Sequence, residues 1–302
     1  MPKLVNLGSL CIDNVYQVPN LTGAGETVAC RSHAVFPGGK GLNQSLAAAY
    51  ATTAVHHVGC IGEDGAMLID VLKAGGVNVA DVVERGSNSG HAVIQVNPAG
   101  ENAIVIAPGA NHRIEDGDVE RAFATLTTGD WLLIQNEIND IERVLERAAM
   151  EGTALAFNVA PVDGRETGYE LAAVRLLLLN EIEAASLAGV EDPAEALDCL
   201  SERLPETDIV LTLGSEGLLY RTGAGKGKLG AYLVDVVDET AAGDAFIGYL
   251  MAELLKGLTL EASLECASAA GALAVTVPGA ADSLPRRRAV DEFLEKKGPL
   301  KR

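Results

Sequence analysis

The stretch Asp235-Val-Val-Asp-Glu-Thr-Ala-Ala-Gly-Asp-Ala-Phe-Ile-Gly-Tyr-Leu-Met-Ala-Glu-Leu-Leu-Lys-Gly257 decides the fold. The apolar run over 232–237 predicts a strand, and after a few small residues the spacing becomes helical. Phe246, Leu250 and Leu254 recur every four residues, which predicts a helix with one apolar face that ends before Gly257. A strand that passes through small residues into a helix is typical of an α/β sheet.

The start of that helix predicts a binding site for an anion. The first N–H groups of a helix have no acceptor within it, and its N-terminus carries partial positive charge. The side chains of Ala241, Ala242 and Gly243 are too small to shield these groups, so a phosphoryl group can approach them. Asp244 lies in the first turn, where a carboxylate can take a proton from an attacking hydroxyl. The alternative is an Asp that only complements the helix dipole.

The composition narrows the classes of partner. The 302 residues, 48% hydrophobic and 22% charged, suit one large α/β domain or two smaller ones. The formal net charge of −19 would repel nucleic acid phosphates and anionic membrane surfaces, so we expect neither partner. The basic triplet Arg286-Arg287-Arg288 is interpreted as a solvated face near a helix start.

Cysteine and histidine usage favours a cytoplasmic protein without a metal cluster. The five cysteines are odd in number and include no C-x-x-C pair, which indicates reduced thiols. His56 and His57 are adjacent, so they would point to opposite faces of a strand instead of sharing a metal. The N-terminus has no signal-peptide pattern, and no apolar run reaches about 18 residues.

A second glycine-rich stretch, Pro37-Gly-Gly-Lys-Gly-Leu-Asn-Gln44, leads into an Ala-rich helix that extends to about Ala51. Its glycines let the backbone approach a ligand closely, while Lys40 can contact an anion and Asn43 can bond hydroxyls. The spacing is not that of a G-x-x-x-x-G-K-[ST] phosphate loop. The alternative is a flexible turn before a helix.

Strands and helices alternate through the middle of the chain, which predicts parallel crossover units. Before them, 26–36 has weak strand character and 91–107 reads as a hairpin. The predicted strands are 4–10, 131–134, 153–158, 175–179 and 208–213, and the predicted helices are 115–127, 139–150, 181–188, 194–203, 260–276 and 286–296.

Polar residues follow several of these strands, where α/β sheets place ligand contacts. They are Asp13 after the first strand, Glu137 after 131–134, and Asn180 after 175–179. Asn180 and Glu183 also match a capping box at a helix start, which is the alternative to a metal–phosphate role. Asp13 has the alternative of being a turn residue.

Two further glycine turns have different interpretations. Gly214-Ser-Glu-Gly217 follows a predicted strand and suits nucleotide contact, but it is equally compatible with a plain hairpin turn. Gly225-Lys-Gly-Lys-Leu-Gly230 matches G-x-G-x-x-G. That motif must lead into a helix to bind a dinucleotide, and here it leads into the predicted strand 231–237, so it is interpreted as a hairpin loop.

Taken together, these stretches resemble the PfkB-type carbohydrate kinase family over essentially the whole chain, and within it the ribokinase group most closely. The strongest matches are 38–44 and 238–246. The resemblance implies a ribokinase-like fold: one α/β domain over 1–302 with a doubly wound, mostly parallel sheet flanked by helices. A small β-sheet lid would be inserted at about 11–17, 26–36 and 91–107, and through it the chain would form a homodimer.

The implied activity is ATP-dependent phosphorylation of the primary hydroxyl of a sugar, ribose or a related pentose. Mg²⁺ and a monovalent cation, K⁺, are the implied cofactors. A nucleoside kinase of the same family, or a non-catalytic sugar-binding or regulatory protein, are the alternatives. The chain departs from the ribokinase pattern at Cys11, where Asn is usual, and at Glu239, where Thr is usual.

The resemblance also implies residue roles. Asp244 matches the general base, and the amides of Ala242, Gly243 and Asp244 match an anion hole. The implied sugar-binding residues are Asp13, Gly39, Lys40, Asn43, Glu137 and Asp244. The implied nucleotide-binding residues are Asn180, Thr212, Gly214, Ser215, Gly217, Gly243 and Ser268, with Glu183 near Mg²⁺. The implied monovalent cation site comprises Asp238 and Ser283 with carbonyls of Thr240, Ala274, Val277 and Gly279.

Overall fold

A nine-stranded sheet forms the centre of the computed structural model, which describes residues 2–301. A separate four-stranded sheet lies beside it. The strands of both sheets, in chain order, are β1 (Leu4–Leu7), β2 (Cys11–Gln17), β3 (Ser32–Gly38), β4 (Val55–Ile61), β5 (Asn78–Glu84), β6 (Gly90–Val96), β7 (Asn102–Ala107), β8 (Trp131–Gln135), β9 (Leu155–Asn158), β10 (Val174–Asn180), β11 (Asp208–Thr212), β12 (Leu218–Thr222) and β13 (Gly225–Leu229).

Helices cover both faces of the large sheet. They are α1 (Lys40–Tyr50), α2 (Ala66–Ala74), α3 (Asp116–Thr125), α4 (Ile141–Glu151), α5 (Glu181–Ala188), α6 (Pro193–Arg203), α7 (Ala242–Leu255), α8 (Leu260–Ala274) and α9 (Arg287–Lys297). Among residues 2–301, no helix is long and apolar enough to cross a membrane.

The large sheet is doubly wound. Its strand order is β13-β12-β11-β10-β9-β8-β1-β4-β5, and the pairing is parallel from β11 to β5, whereas β11–β12 and β12–β13 at one edge pair antiparallel. From β1 the chain moves outward through β4 and β5, then returns to the other side of β1 with β8. The strand order therefore reverses between β1 and β8, and ligands of such sheets bind at this point, beyond the carboxyl ends of the strands. The predicted fold class is confirmed.

Two hydrophobic cores sandwich the sheet because successive side chains of a strand point to opposite faces. Leu4 and Leu133 pack with residues of α1, α7 and α8, while Val5 and Leu132 pack with residues of α3 to α6. The buried strands therefore read as continuous apolar runs, as expected for a parallel sheet covered on both sides.

The elements predicted between 115 and 213 are present with ends within two residues of the prediction. Other boundaries were wrong. The first strand ends at Leu7, not at residue 10. Of the stretch 26–36, only Ser32 onward is a strand, because its partner β2 ends at Gln17. The Gln17 carbonyl accepts from the Arg31 N–H, and residues 26–30 lie beyond the end of β2.

The predicted strand over 231–237 was wrong. This segment has no strand partner in the described chain, and Leu233 is 82% exposed. The strand lies earlier, as β13 over Gly225–Leu229, where the sequence predicted a loop. The small glycines there allow close pairing with β12: a Cβ on Gly227 would lie 2.4 Å from the Tyr220 ring. The G-x-G-x-x-G stretch at 225–230 thus forms strand β13, and no helix follows it directly, as a dinucleotide-binding motif would require.

Helix α7 is buried almost all round, which differs from the predicted single apolar face. Residues from Asp244 to Glu253 are all buried, whereas Leu254, expected on the apolar face, is only half-buried. The helix lies between α1 and α8, which cover two of its sides. A helix enclosed in this way is apolar all round.

The small sheet has the order β3-β2-β6-β7, and we call it the lid. Strand β2 follows β1 after three residues, and β3 ends at Gly38, directly before α1. The lid is therefore connected to the large sheet at the carboxyl end of β1. Exposed apolar side chains lie on two of its strands, and they are Val35, Phe36, Ile104, Val105 and Ile106.

The basic triplet does not form a free cationic patch. Arg287 pairs with Glu253, Arg288 with Glu292, and the Arg286 guanidinium lies 3.4 Å from the centre of the Tyr50 ring. The interpretation as a solvated face fits the exposed Arg286 and Arg288, whereas the half-buried Arg287 holds α9 against α7.

Candidate active site

The site lies where the strand order reverses. Ser9 follows β1 and Glu137 follows β8, and the two side chains meet in a short hydrogen bond from the Ser9 hydroxyl to Glu137 Oε2. The backbone N–H of Lys40 also donates to Glu137 Oε2, at 3.0 Å. The Glu137 carboxylate therefore joins the glycine-rich loop to the carboxyl ends of both central strands.

Helix α1 begins unusually close to β1, and glycines make this possible. A Cβ on Gly41 would lie 2.4 Å from the Ser9 backbone nitrogen, well inside contact distance. Gly39 has φ 95°, a conformation that favours glycine. The loop is therefore a fitted junction, and it directs Asn43 and Gln44 toward the start of α7.

The start of α7 has the geometry expected of an anion site. Ala241 precedes the helix at φ 60°, and the Ala242 N–H donates to the Glu239 carbonyl at 3.3 Å. Within residues 2–301, no backbone carbonyl accepts from the amides of Gly243 or Asp244. A Cβ on Gly243 would meet nothing within 4 Å, so the space beside this residue is open. An anion can reach these amides without displacing a side chain.

Asp244 presents a nearly buried carboxylate beside these amides, 8% exposed. Its Oδ2 accepts from Asn43 Nδ2 at 3.0 Å and its Oδ1 accepts from Gln44 Nε2 at 2.9 Å. Burial raises the pKa of Asp244, against the opposing effects of Lys40 and of the two amide donors. A carboxylate with a raised pKa is a better proton acceptor, as general-base catalysis requires.

Charged side chains surround one side of Asp244. Burial, with repulsion from Glu137 and Asp244, raises the pKa of Asp13 to about 7. Burial alone would lower the pKa of Lys40, but the carboxylates of Asp244 and Glu137 outweigh it and raise that pKa. The Asp13 carboxylate packs on the lid backbone, because a Cβ on Gly38 would lie 2.0 Å from its Oδ2. These acceptors suit a ligand rich in hydroxyl groups.

A cleft of about 230 Å³ opens from Asp244 along the carboxyl ends of β9, β10 and β11. Several residues predicted for the site line it together. They are Lys40, Asn180, Glu183, Thr212, Gly243 and Asp244. The cleft therefore connects the predicted base and anion hole with the predicted nucleotide and metal residues.

Asn180 and Glu183 have the capping role that the sequence left open, and their position leaves the metal–phosphate role a prediction. Asn180 Oδ1 accepts from the Glu183 N–H at 2.9 Å, and Glu183 Oε2 accepts from the Asn180 N–H at 2.8 Å, which is a complete capping box. Both residues also line the cleft. Burial raises the pKa of Glu183, partly offset by the Asn180 N–H.

Other predicted nucleotide residues lie outside the cleft lining. Gly214 and Ser215 belong to a short turn one residue beyond Thr212. Gly217 closes the hairpin between β11 and β12 with φ 98°, and a Cβ there would lie 2.1 Å from the Leu229 carbonyl oxygen. This glycine is therefore required for hairpin packing. Ser268 lies on α8, half-buried.

The predicted cation residues are joined through Asp238. Its Oδ1 accepts from the Thr240 N–H at 2.9 Å and from the Thr240 hydroxyl, and its Oδ2 accepts from the Gly279 N–H at 2.8 Å. Burial would raise the pKa of Asp238, but these hydrogen bonds outweigh it and lower the pKa. An ionised carboxylate thus connects the segment before α7 to the loop after α8. The Ser283 hydroxyl donates to the Ala280 carbonyl.

Sequence reasoning missed two residues at this site. Gln44 was quoted in the glycine-rich stretch without a role, yet it holds Asp244. Asn158, the last residue of β9, lines the cleft and accepts from Gln44 Nε2 at 3.0 Å. A polar residue at the end of a buried strand was the available signal for Asn158, as it was for Asn180.

The two departures from the family pattern lie in different places. Cys11 is buried, and its Sγ accepts from Asn111 Nδ2 at 3.3 Å. Glu239 lines the cleft directly before the anion site. In the described part of the chain all five cysteines are free, and no group of three His, Cys, Asp or Glu side chains is placed to hold a metal.

Comparison with known proteins gives matches along almost the whole chain. The model of a family described as "pfkB family carbohydrate kinase" matches residues 1–287. A ribokinase of Haemophilus influenzae is 32% identical over 302 residues, which covers 97% of this chain and 98% of that protein.

Solved structures agree with these matches. A ribokinase of Thermotoga maritima superposes with a TM-score of 0.87 at 31% identity, covering 98% of this chain and 100% of that one. An Arabidopsis thaliana ribokinase complexed with ribose and ATP has a TM-score of 0.84 at 28% identity, covering 97% and 99%.

Proposed function

Because the chain belongs to the pfkB family of carbohydrate kinases, we propose that it transfers the γ-phosphoryl group of ATP to the primary hydroxyl of ribose or a related pentose. Family membership makes the chain a phosphotransferase that uses an alcohol group as acceptor. The choice of pentose rests on the ribokinases it resembles, one of which was solved with ribose and ATP.

One observation carries the proposal: a buried carboxylate and unshielded amides lie side by side at the start of α7, facing one cleft. Asp244 would take the proton of the acceptor hydroxyl as it attacks the phosphorus atom. The amides of Gly243 and Asp244 would stabilise negative charge on the transferring group, and the Ala242 amide would join them on leaving the Glu239 carbonyl. Phosphoryl transfer depends chiefly on positioning and on such electrostatic stabilisation.

The sugar and the nucleotide would approach Asp244 from opposite sides. The carboxylates of Asp13 and Glu137 and the amide of Asn43 would accept and donate hydrogen bonds to sugar hydroxyls, with Gly39 leaving room for the ring. Asn43 Oδ1 supports this assignment, because it is buried and has no hydrogen-bond partner within residues 2–301. An orphaned acceptor of this kind is costly unless a ligand satisfies it. On the other side, Thr212 and Asn180 would contact ATP.

The residues present suit the two cations that the family resemblance implies. Mg²⁺ binds one or two carboxylates together with water and substrate phosphates, and Glu183 with Asn180 at the cleft matches that donor set. For K⁺, the ionised Asp238 and the surrounding carbonyls offer hard oxygen donors. When bound, Mg²⁺ would neutralise phosphate charge. Asp238 would align the loop after α8 with the anion site.

We also propose that the chain forms a homodimer through the lid. Ile104, Val105 and Ile106 are consecutive in β7 and more than half exposed, and Val35 on β3 is 44% exposed. Strand β7 is an edge strand of the lid, and exposed apolar side chains there favour pairing with a second copy of the chain.

A coupled assay of ADP release across pentoses, deoxypentoses, hexoses and nucleosides tests the acceptor. We expect ribose or a related pentose to give the highest kcat/KM. Preference for a nucleoside, or tight sugar binding without turnover, would contradict the proposal.

The role of Asp244 is tested by Asp244→Asn, which keeps the side-chain shape and removes the base. A general base contributes about 10²–10⁴-fold, so we expect kcat to fall by at least about 10²-fold. Circular dichroism should give an unchanged fold. Near-normal turnover in this variant would remove Asp244 from the mechanism.

A further inference from the structure

A chain of buried polar side chains lies behind Asp244, and the reaction described above does not use it. The chain runs from Gln44 through Gln135, Asn6 and Ser45 to His57. Each of these side chains is 0% exposed. Burying a polar group without a hydrogen-bond partner destabilises the fold. A connected row of hydrogen-bonded buried side chains therefore indicates a role in holding Asp244.

The direction of its hydrogen bonds follows from the carboxylate. An ionised carboxylate only accepts, so Gln44 must turn its Nε2 toward Asp244 Oδ1, at 2.9 Å. The second hydrogen of that NH₂ group goes to Asn158 Oδ1 at 3.0 Å. Gln44 Oε1 therefore faces away from Asp244, and it accepts from Gln135 Nε2 at 2.8 Å.

Beyond Gln135 the hydrogen bonds are donated in the other direction, away from Asp244. Gln135 Nε2 also donates to Asn6 Oδ1 at 3.0 Å, and Asn6 Nδ2 donates to the Gly41 carbonyl and to Ser45 Oγ, each at 2.8 Å. The Ser45 hydroxyl is then left to donate to His57 Nδ1, 2.8 Å away. All six N–H hydrogens of the three carboxamides are used, so no amide can turn without breaking the row.

The fixed orientation of the Gln135 amide leaves its oxygen without a hydrogen bond. Its Oε1 is buried without a hydrogen-bond partner in the described chain, and it packs against Gly8, where a Cβ would lie 2.3 Å away. Turning the amide over would instead place Oε1 against the oxygens of Gln44 and Asn6. The fold therefore accepts one unsatisfied oxygen and keeps both hydrogens of the Gln135 amide on acceptors, one of which is Gln44 Oε1.

His57 ends the row in the protonation state that the row requires. With Nδ1 accepting from Ser45, the proton lies on Nε2, which is 3.3 Å from the Gly8 carbonyl oxygen. Burial lowers the pKa of His57 to about 4, so the ring is neutral near pH 7. A protonated ring would make Nδ1 a donor, and the hydrogen bond between Ser45 and His57 would then reverse its direction.

We propose that Gln44 is a positioning residue for phosphoryl transfer, which holds the Asp244 carboxylate ionised and in one orientation, while Gln135 fixes the amide of Gln44. This inference rests on the proposed role of Asp244 as base. Gln44 is itself fully buried, so it would act through Asp244 without touching either substrate.

The charges around Asp244 make its amide donors important. Lys40 on α1 favours the ionised carboxylate, whereas Glu137 after β8, Asp13 on β2 and Glu183 on α5 oppose it. One ammonium therefore faces three other carboxylates. Loss of the Gln44 donor would leave Asn43 as the remaining side-chain donor to Asp244 and would raise the pKa of Asp244.

The experiment measures kcat against pH for the full chain with ATP, Mg²⁺ and saturating ribose. In Gln44→Met, which keeps the side-chain length and removes the donor, we expect the acid limb of the kcat profile to move up by about one unit, so that kcat at pH values on that limb falls about tenfold. KM for ribose should change less than about threefold. Gln44→Glu should move the limb further, because it places a second carboxylate against Asp244.

Thr207→Val is the matched control. Thr207 is buried, its hydroxyl donates to the Val174 carbonyl, and it precedes β11 at the end opposite the cleft. It loses a buried hydrogen bond far from Asp244, so its acid limb should not move. Equal movement of the limb in Thr207→Val and Gln44→Met would overturn the inference, since loss of stability alone would then explain both.

The remaining outcomes separate this inference from the proposed function. An unmoved acid limb in Gln44→Met and Gln44→Glu, with Asp244→Asn inactive, would overturn the role of Gln44 and leave the base in place. Wild-type turnover in Asp244→Asn would overturn both. If thermal unfolding shows that Gln44→Met does not fold, Gln44→Glu and Gln135→Met decide, and the limb of Gln135→Met should move in the same direction by less.

Discussion

Asp13 should make the stability of the folded protein depend on pH near neutrality. Burial and two nearby carboxylates raise its pKa to about 7, above the unfolded value of about 3.9. The folded state therefore binds a proton more tightly than the unfolded state. The resulting stability is fully present below about pH 4 and is lost as the pH rises through 7.

We expect the melting temperature of the ligand-free wild type to fall between pH 5 and 8 by more than that of Asp13→Asn. The neutral amide has no proton to lose, so the difference between the two curves isolates Asp13. Asp70→Asn, at an exposed position on α2, is the control and should follow the wild type. A pH-independent difference between wild type and Asp13→Asn would contradict the assignment.

Some site residues were predictable because their local sequence carries the signal. Asp244 follows small residues at a helix start, and Asn180 ends a buried strand, so each is recognisable from its neighbours. Gln44 is not. Its partners Asp244 and Gln135 lie 200 and 91 positions away, and only the folded chain brings them together.

Helices α1 and α7 approach each other closely at one glycine. A Cβ on Gly248 would lie 2.4 Å from the Ala47 Cβ and 2.7 Å from the Ala48 nitrogen. If there were space for the methyl group, Gly248→Ala would stabilise α7 by about 1 kcal/mol, because Ala has a higher helix propensity than Gly. Overpacking costs about 1–3 kcal/mol, and because backbone atoms cannot move aside, we expect net destabilisation.

Chemical denaturation should give a lower free energy of unfolding for Gly248→Ala, and kcat should fall as well, because α1 carries Asn43 and α7 carries Asp244. Gly168→Ala is the control, since a Cβ there meets nothing within 4 Å. Unchanged stability in Gly248→Ala would mean that the two helices can separate freely.

The loop after α8 should make the reaction sensitive to monovalent cations. We expect a higher kcat in K⁺ than in tetramethylammonium at equal ionic strength, because only the smaller ion can be held by the oxygens around Asp238. In Asp238→Ala the difference should vanish, since this variant also loses the hydrogen bonds to Thr240 and Gly279. Equal wild-type rates in both salts would count against a cation site.

Element types were predicted well where strand and helix patterns alternate along the chain, and poorly for the apolar run over 231–237. The helices between 115 and 203 and the strands between them have ends close to the prediction. The run over 231–237 has the composition of a strand but no neighbour to pair with. Pairing is a tertiary property, so a short apolar run alone does not predict it.

At the scale of the whole molecule, the exposed lid strands predict the oligomeric state. Val105 is 69% exposed in the middle of β7. A carboxylate there would have to be buried in the proposed dimer, which is unfavourable. We expect Val105→Asp to convert the protein from dimer to monomer in sedimentation velocity experiments.

Met150→Asp is the control for that change. Met150 is 83% exposed on α4, which lies in the large domain and not in the lid. It should leave the sedimentation coefficient unchanged. A wild-type protein that is already monomeric at micromolar concentration would contradict the proposed interface.

The alternation of strands and helices predicted parallel crossover units, and the resemblance to the carbohydrate kinase family supplied the doubly wound arrangement. The lid was harder to define. Its parallel pairing of β2 with β6 joins segments separated by more than seventy positions, and β2 reaches only as far as Gln17. Weak local strand character at 26–31 could not reveal that limit.

The lid connections have a consequence for how ATP is conserved. Asp13 is carried by β2, whereas Asp244 and Gln44 belong to helices of the main body. A lid that swings outward would take Asp13 with it and leave the base behind. Sugar binding would then also align the acceptor hydroxyl with Asp244. Without sugar, a water molecule would not be held in position to attack ATP, so the enzyme would hydrolyse little ATP.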